Sequence, residues 1–129
     1  MNLQLEELLP ALEGASFVLI FGSFGTERFG PESDVDLAVR FQRPLPPAEL
    51  FGLLRRLTEI AGRKVDLVDL GSADPIIAMQ VLRHGRPLLV RDRAAFESFR
   101  MTTPSRYFDW KLSRRPVEER LWAAVASAS

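Results

Sequence analysis

Cysteine is absent from the chain, which excludes disulfides, thiolate nucleophiles and Cys-ligated zinc. Histidine occurs once, as His84, too little for a His-based metal site or a Ser–His catalytic pair. No apolar run approaches the roughly 18 residues of a spanning helix. The opening "MNLQLEELLPALEG" carries acid where a secretory leader carries base, so a cytoplasmic protein without membrane association is expected. Formal net charge is zero, which removes the simple electrostatic attraction to a polyanion, and direct nucleic-acid binding is not expected. The charges are unevenly spread all the same. Residues 1–40 hold seven acids and two arginines, residues 91–120 eight bases and five acids, a polarity that suits either a charged partner or two solvated faces.

What is present reads as one globular domain over residues 1–129, with 47% hydrophobic and 26% charged residues and no repeat or linker. Leu5, Leu8, Leu9 and Leu12 recur at helical spacing, so residues 3–13 are expected to form a short amphipathic helix that Pro10 could kink. "SFVLIF", 16–21, is a continuous apolar strand of the kind covered on both faces. "SDVDLAVRF", 33–41, alternates, with Asp34, Asp36 and Ala38 on one face and Val35, Leu37 and Val39 on the other. A helix is expected over 47–62 up to Gly62, a strand over 64–70, a helix N-capped by Asp74 that ends near Gly85, and a short strand over 86–92. The remainder, 93–129, divides into two helical stretches around Pro116, with Phe96, Phe99, Tyr107, Phe108, Trp110, Leu121 and Trp122 as expected buried anchors. This order gives an α/β (α+β) fold: a mixed sheet of about four strands flanked by helices, with a core over 16–92 and a C-terminal helical segment.

Two features carry chemistry. Gly22 follows the first strand directly, where a tight turn can present backbone amides to phosphate, and Ser23 adds a hydroxyl at the same corner; a plain turn is the alternative. Asp34 and Asp36 lie two apart on a strand, with Cα atoms roughly 6.6 Å apart on one face. Two such anions at about 4 Å repel by roughly 4 kcal/mol at an effective dielectric of 20, a repulsion that a bound cation converts to coordination. Carboxylates without imidazole or thiolate favour a hard ion, Mg²⁺ or Mn²⁺, which usually takes one or two carboxylates and completes its shell with substrate phosphates. The alternative is a pair of solvent-facing acids on an edge strand. A Gly-Ser, ten-residue, Asp-x-Asp arrangement arises by chance in roughly one in a thousand chains of this length.

"GSFGTERFGPESDVD" resembles the signature of the minimal nucleotidyltransferases of the DNA polymerase β superfamily, and fits it without a gap. The resemblance covers about residues 16–92 and implies the nucleotidyltransferase fold. It implies that Gly22 and Ser23 bind the β and γ phosphates of ATP and that Asp34 and Asp36 hold catalytic divalent metals, two Mg²⁺ ions or Mn²⁺ in their place. It also implies a third acid from a neighbouring strand. "VDLVDL" offers Asp66 and Asp69 on opposite faces; Asp66 matches the family's position, and Asp69 marks the strand end. Asp66 would bind the metal nearest the nucleophile and accept its proton.

A chain this short lacks the second domain of transferases that act on small antibiotics, and more closely resembles the MntA-like antitoxins of HEPN/MNT toxin–antitoxin pairs. The implied activity is transfer of AMP from ATP to a tyrosine hydroxyl of a partner HEPN ribonuclease toxin, with release of pyrophosphate. The competing readings are transfer to a small hydroxylated molecule such as an aminoglycoside, with a dimer completing the acceptor pocket, and a non-catalytic antitoxin acting by occlusion. Most other residues have structural explanations. His84 suits a helix C-terminus, Phe24 and Phe29 suit packing, Arg28 and Arg40 suit contact with triphosphate and the surface equally, Ser33 suits a cap, and Tyr107, the one tyrosine, suits the core better than self-modification.

Overall fold

The computed structural model describes residues 5–22 and 33–128. Four strands form one mixed sheet in the order β3-β2-β1-β4, with β1 at Ala15–Phe21, β2 at Val35–Phe41, β3 at Val65–Asp69 and β4 at Arg86–Val90. β1 runs antiparallel to both β2 and β4, whereas β2 and β3 are parallel. Parallel neighbours need a crossover, and α1, Pro47–Ala61, supplies it. Pro46 and Pro47 open that helix, and Gly62 closes it in the left-handed region at φ 68, its N–H donating to the Thr58 carbonyl. Asp74 caps α2, Pro75–His84, by accepting from the Ile77 N–H at 2.9 Å. Asp92 does the same for α3, Arg93–Ala128, through the Ala95 N–H at 3.0 Å.

Each face of the sheet has its own cover. Val18, Ile20, Val35, Leu37, Val39 and Val65 point to one side and pack with Leu57 of α1 and with Leu8 and Leu12. Phe17, Leu19 and Ala38 point to the other side, where Val81 of α2 and Phe96 and Phe99 of α3 close over them. The Phe17 ring meets Phe96 edge-on at 5.2 Å and Phe99 at 5.4 Å, which fixes where α3 crosses β1. The Arg91 guanidinium donates to the carbonyls of Leu12 and Ala15, tying the end of β4 to the start of β1.

Three expectations need correction. The N-terminal helix is a 3-10 helix, Leu5–Leu12, with Pro10 inside it; Leu8 and Leu12 are buried and Leu5 and Leu9 partly so, but its winding is tighter than expected. The C-terminal segment is one continuous helix through Pro104 and Pro116, not two. A proline removes one N–H and bends a helix, which need not end there. Only the first third of α3 reaches the core. Phe96 and Phe99 pack and Thr103 is buried, but Phe108, Leu121 and Trp122 are exposed, and Tyr107 and Trp110 are half-exposed and stack on each other at 6.2 Å. The helix outruns the sheet, so residues at core-like spacing meet no core.

Candidate functional site

β2 lies inside the sheet, between β1 and β3, so Asp34 and Asp36 do not decorate an edge strand. Asp36 stands opposite Phe21 on β1 and opposite Asp66 on β3. Residues in register across parallel strands share a face, and this face also carries Ala38, Leu19 and Phe17. The acids therefore sit on the α2/α3 side, at the end where β1 stops and β2 and β3 begin. The opposite side chains at this end, Val35, Leu37 and Val65, are buried and hold both strands against α1. Alternation alone thus delivers three carboxylates to one spot above a closed apolar floor.

Gly22 completes the spot. Its φ is +80, a conformation that L side chains rarely adopt, and a Cβ built on it would lie 2.0 Å from Asp36 Oδ2 and 3.0 Å from Asp36 Cγ. Glycine here is required twice, by the turn out of β1 and by the carboxylate lying against its backbone. Ser23, Phe24, Gly25, Arg28 and Phe29 fall outside the described residues.

The electrostatics are those of crowded acids. Burial raises the Asp36 pKa above the ordinary carboxylate value, and the negative charge of Asp66, a hydrogen bond with it and the charge of Asp34 add to the effect, against a lowering by Lys64. When protonated, Asp36 donates to the Asp66 carboxylate. The Lys64 ammonium stands 3.8 Å from Asp66 Oδ1 and 4.0 Å from Asp34 Oδ2 and so bridges the outer two acids. Sequence reasoning missed Lys64. Its signal was present, since Lys64 and Asp66 are two apart at a strand start and therefore face the same way. The backbone supports the pair as well, with Val35 N–H donating to the Lys64 carbonyl at 2.9 Å.

Among the described residues, no three Asp, Glu or His side chains stand ready as a closed metal cage. The arrangement is instead open. Asp36 and Asp66 meet directly, Asp34 joins through Lys64, and a lysine occupies the position of attraction between carboxylates. That donor set fits Mg²⁺, which usually takes one or two carboxylates and leaves its other positions to water and phosphate. Asp69 has a different part: its Oδ1 accepts from the Gly71 N–H at 2.9 Å in the turn that ends β3. His84 is exposed in the last turn of α2, beside Arg83. Arg40 is exposed, with its guanidinium close to Gly71; alternation along β2 sets it on the same face as Asp36, four residues further on.

Comparison with known proteins follows the same lines. A family model described as "Polymerase beta, Nucleotidyltransferase" matches residues 4–94. The chain is 28% identical over 123 residues to the protein adenylyltransferase MntA of Shewanella oneidensis, covering 95% of this chain and 86% of that protein. A crystal structure of a toxin–antitoxin complex with AMP-PNP contains a chain of the same fold, with a TM-score of 0.80 and 25% identity over 93% of this chain and 99% of that one. A second structure, of tri-AMPylated Shewanella oneidensis HEPN toxin with MNT antitoxin, matches with a TM-score of 0.73 and 25% identity over 92% of each chain.

Proposed function

The chain belongs to the polymerase β nucleotidyltransferase family, and on that premise we propose that it is an antitoxin that transfers AMP from ATP to a tyrosine hydroxyl of a partner HEPN toxin, releasing pyrophosphate. The observation that carries the reading is the placement of Asp36, which lies on an interior strand, in register with Asp66 and pressed against Gly22. An ionisable group in a position that disfavours its own charge is expected where that charge has work to do on a ligand. The similarity to an adenylyltransferase over most of its length supports the choice of protein as acceptor.

In this reading Asp34, Asp36 and Asp66 hold Mg²⁺, with Mn²⁺ as the substitute. When bound, the ion lowers the pKa of the attacking hydroxyl and neutralises charge on the phosphates. The backbone at Gly22 lies against Asp36, so a triphosphate held there and at Ser23 is brought beside the carboxylates. The acceptor oxygen attacks the α phosphorus, the bond from that phosphorus to the bridging β oxygen breaks, and pyrophosphate leaves with the electron pair. Asp66 takes the hydroxyl proton as general base. Lys64 balances the acids before nucleotide arrives and stays within reach of phosphate charge afterwards.

Incubation of the chain with labelled ATP, Mg²⁺ and a HEPN toxin tests the reading. Label on toxin tyrosine, lost in the Asp34→Ala/Asp36→Ala variant, is the expected result. Label on a small hydroxylated compound in place of the toxin, or toxin silenced equally well by the variant, would overturn it.

A further inference from the structure

Lys64 stands in the link between α1 and β3, and its backbone is tied to the segment that carries two of the acids. Its carbonyl accepts from the Val35 N–H at 2.9 Å, and the guanidinium of neighbouring Arg63 donates to the Ser33 carbonyl at 3.5 Å. Ser33 and Val35 flank Asp34, so the root of the Lys64 side chain is held beside Asp34 and, by alternation, on the face of Asp66. The tip is held far less. The ammonium lies 4.0 Å from Asp34 Oδ2 and 3.8 Å from Asp66 Oδ1, beyond hydrogen-bond length to either. With 69% of its side chain exposed, against 41% and 48% for the two acids, it meets them by charge and not by a shared proton.

Such a contact breaks readily. A structural ion pair is short, hydrogen-bonded and shielded from water, whereas this one is long, exposed and divided between two partners. A lysine ammonium is a hydrated point charge on a flexible four-carbon stem, so it can leave the carboxylates without disturbing the backbone that carries it. Asp34 and Asp66 are also among the acids that would hold Mg²⁺. A divalent cation drawn to them competes with the ammonium for the same oxygens and is repelled by its charge. With metal alone, a displaced Lys64 has only water to turn to. With nucleotide present as well, the triphosphate offers the ammonium a new anion, and the charge that opposed the metal now favours the complex. The phosphate corner and Lys64 flank the same carboxylates, since Gly22 lies against Asp36 and Asp36 is in register with Asp66.

We propose that Lys64 is the resident cation of the site and couples metal binding to nucleotide binding: it weakens the hold of Asp34 and Asp66 on a divalent ion until a triphosphate arrives to take up its charge. The inference rests on the function proposed above. Coupling of this kind is reciprocal, so nucleotide raises the affinity for metal by the same factor by which metal raises the affinity for nucleotide.

The test measures binding to the full chain, with Mn²⁺ as the probe. Affinity for Mn²⁺ alone is read from the electron paramagnetic resonance of the free ion. Affinity for the Mn²⁺ complex of α,β-methylene-ATP, which cannot transfer AMP, is read by titration calorimetry. Lys64→Met keeps the stem and removes the charge, and circular dichroism with urea unfolding checks the fold. The two affinities should move in opposite directions: the variant binds Mn²⁺ alone about tenfold more tightly, as for removal of two exposed ion pairs, and the Mn²⁺–nucleotide complex about tenfold more weakly. Loss of a merely structural lysine would weaken both. Lys64→Arg, which keeps the charge, should bind both as the wild type does. Unchanged affinities in Lys64→Met, a shift of both in one direction, or an arginine variant that behaves like the methionine variant overturns the proposal. A chain that shows the opposed shifts yet labels no HEPN toxin keeps the coupling and overturns the choice of acceptor, whereas a wild-type chain that binds no Mn²⁺ in either state overturns both.

Discussion

Replacing Gly22 with Ala perturbs a contact between two elements that both serve the site. The new methyl would lie 2.0 Å from Asp36 Oδ2, closer than real Cβ atoms come to anything, at a residue whose φ is +80. The backbone part of the cost is about 1–2 kcal/mol, the usual penalty for an L residue in the left-handed region. The rest depends on what gives way. Asp36 cannot retreat with its strand, because Val35 and Leu37 on either side are wholly buried, so its carboxylate must rotate or the end of β1 must lift. Either movement adds about 1 kcal/mol or more, for a total near 2–3 kcal/mol. In a domain of this size that is a fall in melting temperature of roughly 6–15 °C. The magnitude can be divided by a double-mutant cycle. In the Asp36→Ala background the oxygen and Cγ are gone, leaving only the Asp36 Cβ, which lies at 3.3 Å in the native chain. Gly22→Ala should then cost only its backbone part, a coupling of at least about 1 kcal/mol. The assay is urea unfolding of the four proteins, with label transfer measured in parallel on the folded fraction. Equal costs in both backgrounds would refute the claim that the carboxylate is what requires glycine at this corner.

Other outcomes are also expected. Asp36→Asn should stabilise the chain without metal at neutral pH: the folded pKa is raised, so the penalty of ionised Asp36 is absent below its unfolded pKa and grows as pH climbs through the folded value. Thermal melts of both proteins in EDTA across pH 3–8 should therefore diverge as pH rises, and parallel curves would contradict the crowding; Mg²⁺ should raise the melting temperature of the wild type alone. Asp66→Asn should abolish label transfer while leaving the fold intact. Asp69→Asn, altering an acceptor for the Gly71 N–H, should cost about 0.5–1.5 kcal/mol in urea and leave transfer near normal; the opposite pattern would reassign the third acid. Phe17→Ala, which removes the ring that seats Phe96 and Phe99, should cost about 3–5 kcal/mol in the same assay.

The sheet was largely legible because its signals are local. β1 and β2 announce themselves by a continuous and an alternating apolar pattern, and the facing of Asp34, Asp36 and Ala38 follows from alternation alone. Gly62 and Asp74 read directly as a stop and a cap. Pairing was not legible in the same way. Nothing in "SDVDLAVRF" says that it lies inside the sheet, nor that Asp36 meets Asp66 rather than Val65 or Leu67, because register is a property of two strands and of the helix that joins them. Lys64 was overlooked for a related reason: its spacing to Asp66 is local, but its bridge to Asp34 crosses from one strand to the next. The far half of α3 misled because periodicity reports which face is apolar and not whether anything in the same chain covers it. Tyr107, Leu121 and Trp122 have the spacing of buried residues without the burial.

The pairing of Asp36 with Asp66 makes the carboxylate cluster a verification mark for assembly. Slide β3 by a single residue along β2 and Asp66 would turn through to the hydrophobic floor under α1, with Val65 or Leu67 surfacing in its stead. Such a misthreaded chain loses its core and its chemistry in one stroke, so few half-competent versions can persist. Insertions or deletions between α1 and β3 should accordingly behave as all-or-none events, whereas lengthening the loop between α2 and β4 leaves the acids where they are.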